Sequence, residues 1–230
     1  MGFQSFFNHI TMKYLTVPKA PIPQAGKKLV ACVGDSITYG AGVRENHNTS
    51  TWEYHLEKML QGEWQVLNYG ITGRTLQNEG DYPYTAEKFW KLTHVVEADI
   101  YLIMLGTNDA KSYNWLEARY AYELRNFVES YVRLPNSPRV ILMTPPSCFP
   151  QTQTGIVGYD IDPIQIDGPI YRIVRRTAAE LGLRCIDLHS FTAGHPEWFD
   201  DGIHPNYKGN LAIAKYLYNE LQSDISVGGQ

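Results

Sequence analysis

Four short stretches of the chain carry residue types that could act together on an ester. Gly34-Asp35-Ser36 follows the apolar run Leu29-Val30-Ala31-Cys32-Val33. A serine hydroxyl on a turn at the end of such a run is a candidate nucleophile, provided a second residue takes its proton. Asp201-Gly202-Ile203-His204-Pro205 offers an imidazole for that task and, three positions before it, a carboxylate to orient the imidazole. Gly70-Ile71-Thr72-Gly73 and Gly106-Thr107-Asn108 offer glycine backbone that a substrate can approach closely and a side-chain amide. These are the parts of an acyl transfer. Ser36 attacks the carbonyl, His204 passes its proton to the leaving alcohol, and Asp201 stabilises the charged ring. The oxygen that turns negative needs donors already aimed at it. The Ser36 N–H, a loop glycine N–H and the Asn108 amide suit that role. Spacing alone does not choose between Gly70 and Gly73.

Each stretch also has a plainer reading. Gly-Asp-Ser is ordinary turn and cap chemistry; Asn108 could be a turn former and Gly73 a bend. Asp35 reads as a brace for the serine loop and Asp109 as a cap on the helix that follows. Asp201 and His204, with His189, His195 and Asp200 nearby, could hold a metal, but no paired-histidine spacing accompanies them. The 34–42 stretch fails both phosphate-loop templates, with no Lys-Ser/Thr after Gly40 and no G-x-G-x-x-G opening a helix. His55 and His94 fall on predicted helices as surface or partly packed residues. Trp52, Trp90 and Trp115 read as core or interface.

The elements that must hold these stretches alternate. Apolar runs predict strands at 28–33, 64–69, 99–105, 139–144 and 183–188. Helical spacing predicts helices at 51–61, 84–97, 114–133 and 168–181, with a last one from Pro205, a favoured first helical position, to about 221. The 114–133 helix carries the clearest apolar stripe, with Leu116, Tyr120, Leu124, Phe127, Val128 and Tyr131. Such alternation argues for an α/β fold, a parallel sheet covered on both faces. Ligands bind beyond the carboxyl ends of strands in such sheets, so the loops after the first three strands share one rim. Residues 147–166 form a long irregular insert, of a length common in functional loops. Residues 1–26 read as an N-terminal arm packed on a single domain spanning 27–230.

Bulk properties exclude other classes. The chain has 230 residues, 43% of them apolar and 19% charged, a globular balance. Its net charge of −4 comes with no basic block, so no nucleic-acid surface is expected. No stretch approaches the roughly 20 apolar residues of a membrane span. The N-terminus lacks a basic start followed by a continuous apolar stretch. Cys32, Cys148 and Cys185 have no CxxC spacing and read as reduced. A cytoplasmic location is the expectation.

With all four blocks in order, GDSIT, NYGITGRT, GTND and DGIHP, the chain resembles the SGNH, or GDSL, hydrolase family. Each block alone is weak; the set with its spacing is specific, and the resemblance runs from Leu29 to about Leu221. It implies a flavodoxin-like α/β/α sandwich with sheet order 2-1-3-4-5, and ester hydrolysis through an acyl-enzyme with no metal or other cofactor. It assigns Ser36, Asp201 and His204 as the triad, and Ser36, Gly73 and Asn108 as the oxyanion hole. The family includes carbohydrate acetylesterases, lysophospholipases, thioesterases and arylesterases. The expected substrate is a small-molecule ester, an acetyl or other short acyl group on a carbohydrate. Polar and aromatic loop residues Tyr39, Arg74, Tyr113, Tyr159 and Trp198 favour it, and no long apolar segment marks a fatty-acyl tunnel. The alternatives are a longer-chain lysophospholipase or thioesterase, with Phe149, Ile156, Val157 and Ile161 lining its acyl pocket, and a non-catalytic carbohydrate-binding protein of the same fold.

Overall fold

A computed structural model describes residues 18–151 and 154–226. Its first strand, β1 (Lys28–Gly34), lies inside the sheet, flanked in parallel by β2 (Trp64–Gly70) and β3 (Ile100–Met104). β4 (Arg139–Met143) pairs with β3, and β5 (Arg184–Ile186) with β4, again in parallel. The order is β2-β1-β3-β4-β5. The chain therefore reverses its direction of travel across the sheet between β1 and β3, which opens a crevice beyond their carboxyl ends.

Side chains alternate across the sheet, so β1 feeds two cores. Val30 and Cys32 join Trp52, Leu56, Ile213 and Leu217, which α2 (Trp52–Leu60) and the last long helix (Tyr207–Glu220) bring to one face. Leu29, Ala31 and Val33 join Phe89, Tyr120, Phe127, Ile173 and Val174 on the other. These come from α3 (Lys88–Thr93), α4 (Glu117–Val132) and α5 (Tyr171–Glu180). Both faces of the central strands are covered, which explains their unbroken apolar runs. Between β1 and α2, the single turn α1 (Ser36–Tyr39) follows the sheet edge directly.

Several boundaries differ from the sequence expectation, each because a long-range bond outweighs local periodicity. Asn114 is drawn into bonds with Asp81 and the Asn108 carbonyl, so α4 starts at Glu117, and Leu116 is its extended, half-exposed cap. Tyr84 pairs its N–H with the Thr75 carbonyl at 2.9 Å, and the expected 84–97 helix splits into a 3₁₀ turn and α3. Pro169, which lacks an N–H, sits in a wide π turn (Ile166–Ile170) ahead of α5. Asp187 caps a short helix, α6 (Leu188–Thr192), and so ends β5 early. Pro205 is not the first residue of α7 (Tyr207–Glu220): the Asn206 side chain accepts the Gly209 N–H at 3.1 Å and starts the helix there.

Most of the expected N-terminal arm, residues 1–17, lies outside the described residues. Its last part runs beside β2, where Gln65 bonds both the Gln24 N–H and the Ile22 carbonyl. Among the described residues no helix is long and apolar enough to cross a membrane.

Candidate active site

Asp35 follows β1 directly and caps α1, accepting the Ile37 N–H at 2.9 Å. That cap sets Ser36 at the first helical position, where an N–H has no acceptor inside the helix. The serine is buried, and its hydroxyl meets His204 Nε2 at 2.8 Å. His204 Nδ1 lies 2.6 Å from Asp201 Oδ2. Burial raises the Asp201 pKa, but the His204 ring and the His204 and Ile203 N–H groups outweigh it and hold the carboxyl well below its usual range. An ionised carboxylate only accepts, so His204 gives it the Nδ1 proton. Nε2 is then left to accept from the serine hydroxyl.

Two further loops close the site. Gly73, with φ of +81°, and Asn108 line one cavity together with Ser36 and His204. The structure separates the two candidate glycines. A Cβ on Gly70 would lie 2.2 Å from the Tyr39 backbone nitrogen, so Gly70 serves the packing of β2 against α1. Asn108 donates one N–H to the Arg74 carbonyl at 3.1 Å, which orients the amide and leaves it a second hydrogen. The loop after β3 is tied to the loop after β2 by Asp109, whose carboxylate accepts the Leu76 and Gln77 N–H groups at 2.9 and 2.8 Å. The expected cap on the following helix is therefore corrected. Asp109 points across the rim because two buried donors there have no strand partner. Burial pushes both Asp35 and Asp109 up to about 6, against the backbone N–H groups that lower them.

The 147–166 insert lines part of this cavity through Tyr159 and Ile161, and its described residues are fastened on either side of them. Phe149 donates its N–H to the Gly202 carbonyl at 2.8 Å, and Gln151 its side-chain amide to the Asp201 carbonyl at 3.2 Å. At the far end Ile161 bridges Lys111, and Asp162 donates to the Ala110 carbonyl. Between these anchors Tyr159 and Asp160 both take left-handed backbone, φ 61° and 59°. That pair of turns sets the Tyr159 ring edge-on to His204, centroids 5.3 Å apart, and lets its hydroxyl donate to Asp201 Oδ2 at 3.1 Å.

Other candidates lie elsewhere. Arg74 is buried and turned inward, bonded to Glu87 and the Thr72 carbonyl. Trp198 stacks on His195, and Tyr39 leans on His47. Tyr113 is exposed beside Lys111. Of the four insert residues considered for an acyl pocket, only Ile161 lines the cavity. Ile156 is exposed and Phe149 packs on Phe199. His94 bonds Trp90 and Ser130, and Trp52 is fully buried. His189 bonds Asp167 and His195 bonds Glu197, both away from His204. Among the described residues no three His, Cys, Asp or Glu side chains converge as metal ligands do. Sequence reasoning missed Arg44, Thr72, Thr107 and Lys111, which also line the cavity. The Thr72 hydroxyl is buried with no partner among the described residues. Thr72 and Thr107 left a signal as neighbours of Gly73 and Asn108 in their blocks, and Lys111 as the residue that ends the turn begun at Asn108; Arg44 left none.

The class is a flavodoxin-like three-layer α/β/α sandwich, with Ser36, His204 and Asp201 in contact at the strand-order reversal. The sequence matches the GDSL-like lipase/acylhydrolase family over residues 32–212, and the chain belongs to that family. It is 31% identical over 219 residues to an acetylxylan esterase of Xylanibacter ruminicola, covering 86% of this chain and 44% of that one. The chain thus spans less than half the length of this curated relative. A structure from Agrobacterium tumefaciens, proposed to be an arylesterase, superposes with a TM-score of 0.67 at 27% identity, over 85% of this chain and 99% of the other. A carbohydrate acetylesterase from Sinorhizobium meliloti shares the fold, with a TM-score of 0.67 at 20% identity over 86% and 99%. Family membership supports acyl-ester hydrolysis.

Proposed function

We propose that the chain is a serine ester hydrolase working through an acyl-enzyme, and that it removes short acyl groups from a carbohydrate or similar polar alcohol. The observation that carries the mechanism is the unbroken Ser36–His204–Asp201 contact at the wall of a cavity lined by Gly73 and Asn108. His204 Nε2 takes the Ser36 proton as Oγ bonds to the ester carbon. The carbonyl oxygen moves toward the Ser36 and Gly73 N–H groups and the Asn108 amide, which stabilise its charge in the transition state. His204 then protonates the leaving alcohol, and a water activated by the same ring releases the acid.

The acyl preference rests on size. The cavity holds about 50 Å³, a few times the roughly 10–15 Å³ that admits a single water. A two-carbon acyl group fits such a space; an extended fatty chain does not. The name of the Xylanibacter ruminicola relative points the same way for acyl group and alcohol. The test is an acyl-length series on one alcohol, acetyl through octanoyl. The expected result is kcat/KM falling steeply beyond the shortest members. A preference for octanoyl overturns the short-acyl assignment and leaves the triad standing.

A further inference from the structure

The acyl cavity leaves no room for the alcohol, which must lie outside it. Beside the cavity a second and much larger depression, about 750 Å³, runs between residues 41–50 and residues 197–208. That volume falls within the range of ligand sites. Arg44 lines both spaces. Its guanidinium carries five N–H donors, and it forms no hydrogen bond or ion pair with any described residue. At the junction of the acyl cavity and the groove, a substrate is the natural acceptor.

The groove is preorganised around the catalytic histidine. The 41–46 turn is seated on the His204–Pro205 backbone, where a Cβ on Gly42 would lie 2.2 Å from the Pro205 carbonyl oxygen. Asn206 ties the opposite wall, donating to Asp200 at 2.7 Å and to the Glu197 carbonyl at 3.0 Å. Tyr207 is half exposed, and its ring is braced edge-to-face by His55 at 5.4 Å. The lining chemistry chooses among ligands. Apolar side chains are few, which disfavours a lipid tail. Acids (Glu45, Glu197, Asp200) and bases (Arg44, Lys208) both line it, which disfavours a strongly anionic or cationic partner. Hydroxyl-rich neutral rings suit such a wall, and an exposed aromatic face suits the C–H face of a sugar.

We propose that this groove is the alcohol-side subsite. It would hold neighbouring sugar units of a neutral oligosaccharide whose acyl group enters the cavity, with Arg44 bonding its oxygens at the junction and Tyr207 offering its ring to a sugar. This inference rests on the carbohydrate-ester reading above.

The test compares an acetylated monosaccharide, the matching acetylated tetrasaccharide and p-nitrophenyl acetate, using wild type, Tyr207→Ala and Asn46→Trp. The second variant fills the groove from an exposed position. In wild type the tetrasaccharide should exceed the monosaccharide in kcat/KM by about tenfold, the effect of roughly one good contact, mostly through KM. Each variant should cut that advantage to about twofold or less, with melting curves close to wild type. Equal KM for the two sugar acetates in wild type overturns the groove and spares the carbohydrate reading. Equal proportional losses on all three substrates also overturn it. Hydrolysis of p-nitrophenyl acetate with neither sugar acetate turned over sinks the carbohydrate reading and the groove together.

Discussion

The two sides of the candidate site are built differently. On the serine side, the loops after β1, β2 and β3 are locked by buried carboxyls that bond backbone N–H groups: Asp35 to Ile37, and Asp109 to Leu76 and Gln77. Both acids are fully enclosed and pushed up to about 6. On the histidine side, Asp201 is about one-third exposed, lies well below its usual range, and takes a hydrogen bond from the exposed Tyr159 of the insert. The serine side thus spends polar groups on rigidity, where charge must be met without reorganisation. The histidine side keeps its charge near solvent and near the 147–166 insert. Fixed chemistry and adjustable access are allotted to opposite walls of one cavity.

The strongest test of the rigid side is Ser36→Ala. In the proposed mechanism Ser36 Oγ forms the covalent bond to the acyl group, so kcat should fall roughly 10⁴–10⁶-fold with an unchanged circular-dichroism spectrum. Activity near that of wild type would remove the nucleophile assignment. Asn108→Ala should follow, lowering kcat about 10²–10³-fold with a much smaller change in KM, because the contact tightens only as the oxyanion forms. A rise in KM at constant kcat would make Asn108 a plain binding residue.

The buried acids offer a third test, read in stability. A folded-state value of about 6 for Asp35, above the ordinary 3.8, means the folded chain keeps this proton longer than the unfolded one. Between those values the folded state binds more protons, so raising the pH costs stability. Asp35→Asn can keep the Ile37 bond through its carbonyl oxygen and removes the titration. Thermal melts should show the variant gaining on wild type from pH 4 to pH 7, by on the order of 2 kcal/mol for a shift of this size. A constant difference over that range would show that Asp35 is charged throughout, and the contrast with Asp201 would be lost.

How much of this was legible depended on the reach of the interaction. The strands and their shared rim followed from apolar runs broken by glycine, a signal carried within each segment, whereas the strand order came only through the family resemblance. Ser36, Gly73, Asn108, Asp201 and His204 were legible because each sits in a short block. Asp109 was misread as a cap, since its donors at Leu76 and Gln77 lie more than thirty positions earlier. Leu116 counted as core by spacing, and Asn114, bonded back to Asp81, kept it out of the helix. Pro205 was a plausible first helical residue until Asn206 supplied the cap. Arg44 carries no local mark at all; only the folded chain brings it to the cavity mouth.

The smallest expected effect bears on the adjustable side. Tyr159 shares Asp201 Oδ2 with His204 Nδ1. Its hydrogen bond draws charge from the oxygen that stabilises the imidazolium, while its ring edge holds the imidazole in line. Tyr159→Phe keeps the ring and removes only the hydroxyl. The carboxylate then meets the imidazolium with more charge, and the acid limb of the kcat/KM profile should move to higher pH. Away from that limb the rate should change by roughly two- to fivefold, the scale of one exposed hydrogen bond. Tyr159→Ala should cost more than Phe, since it also removes the ring. A Phe variant slowed by the same factor at every pH would reduce Tyr159 to packing, and the insert would then cover the triad without tuning it.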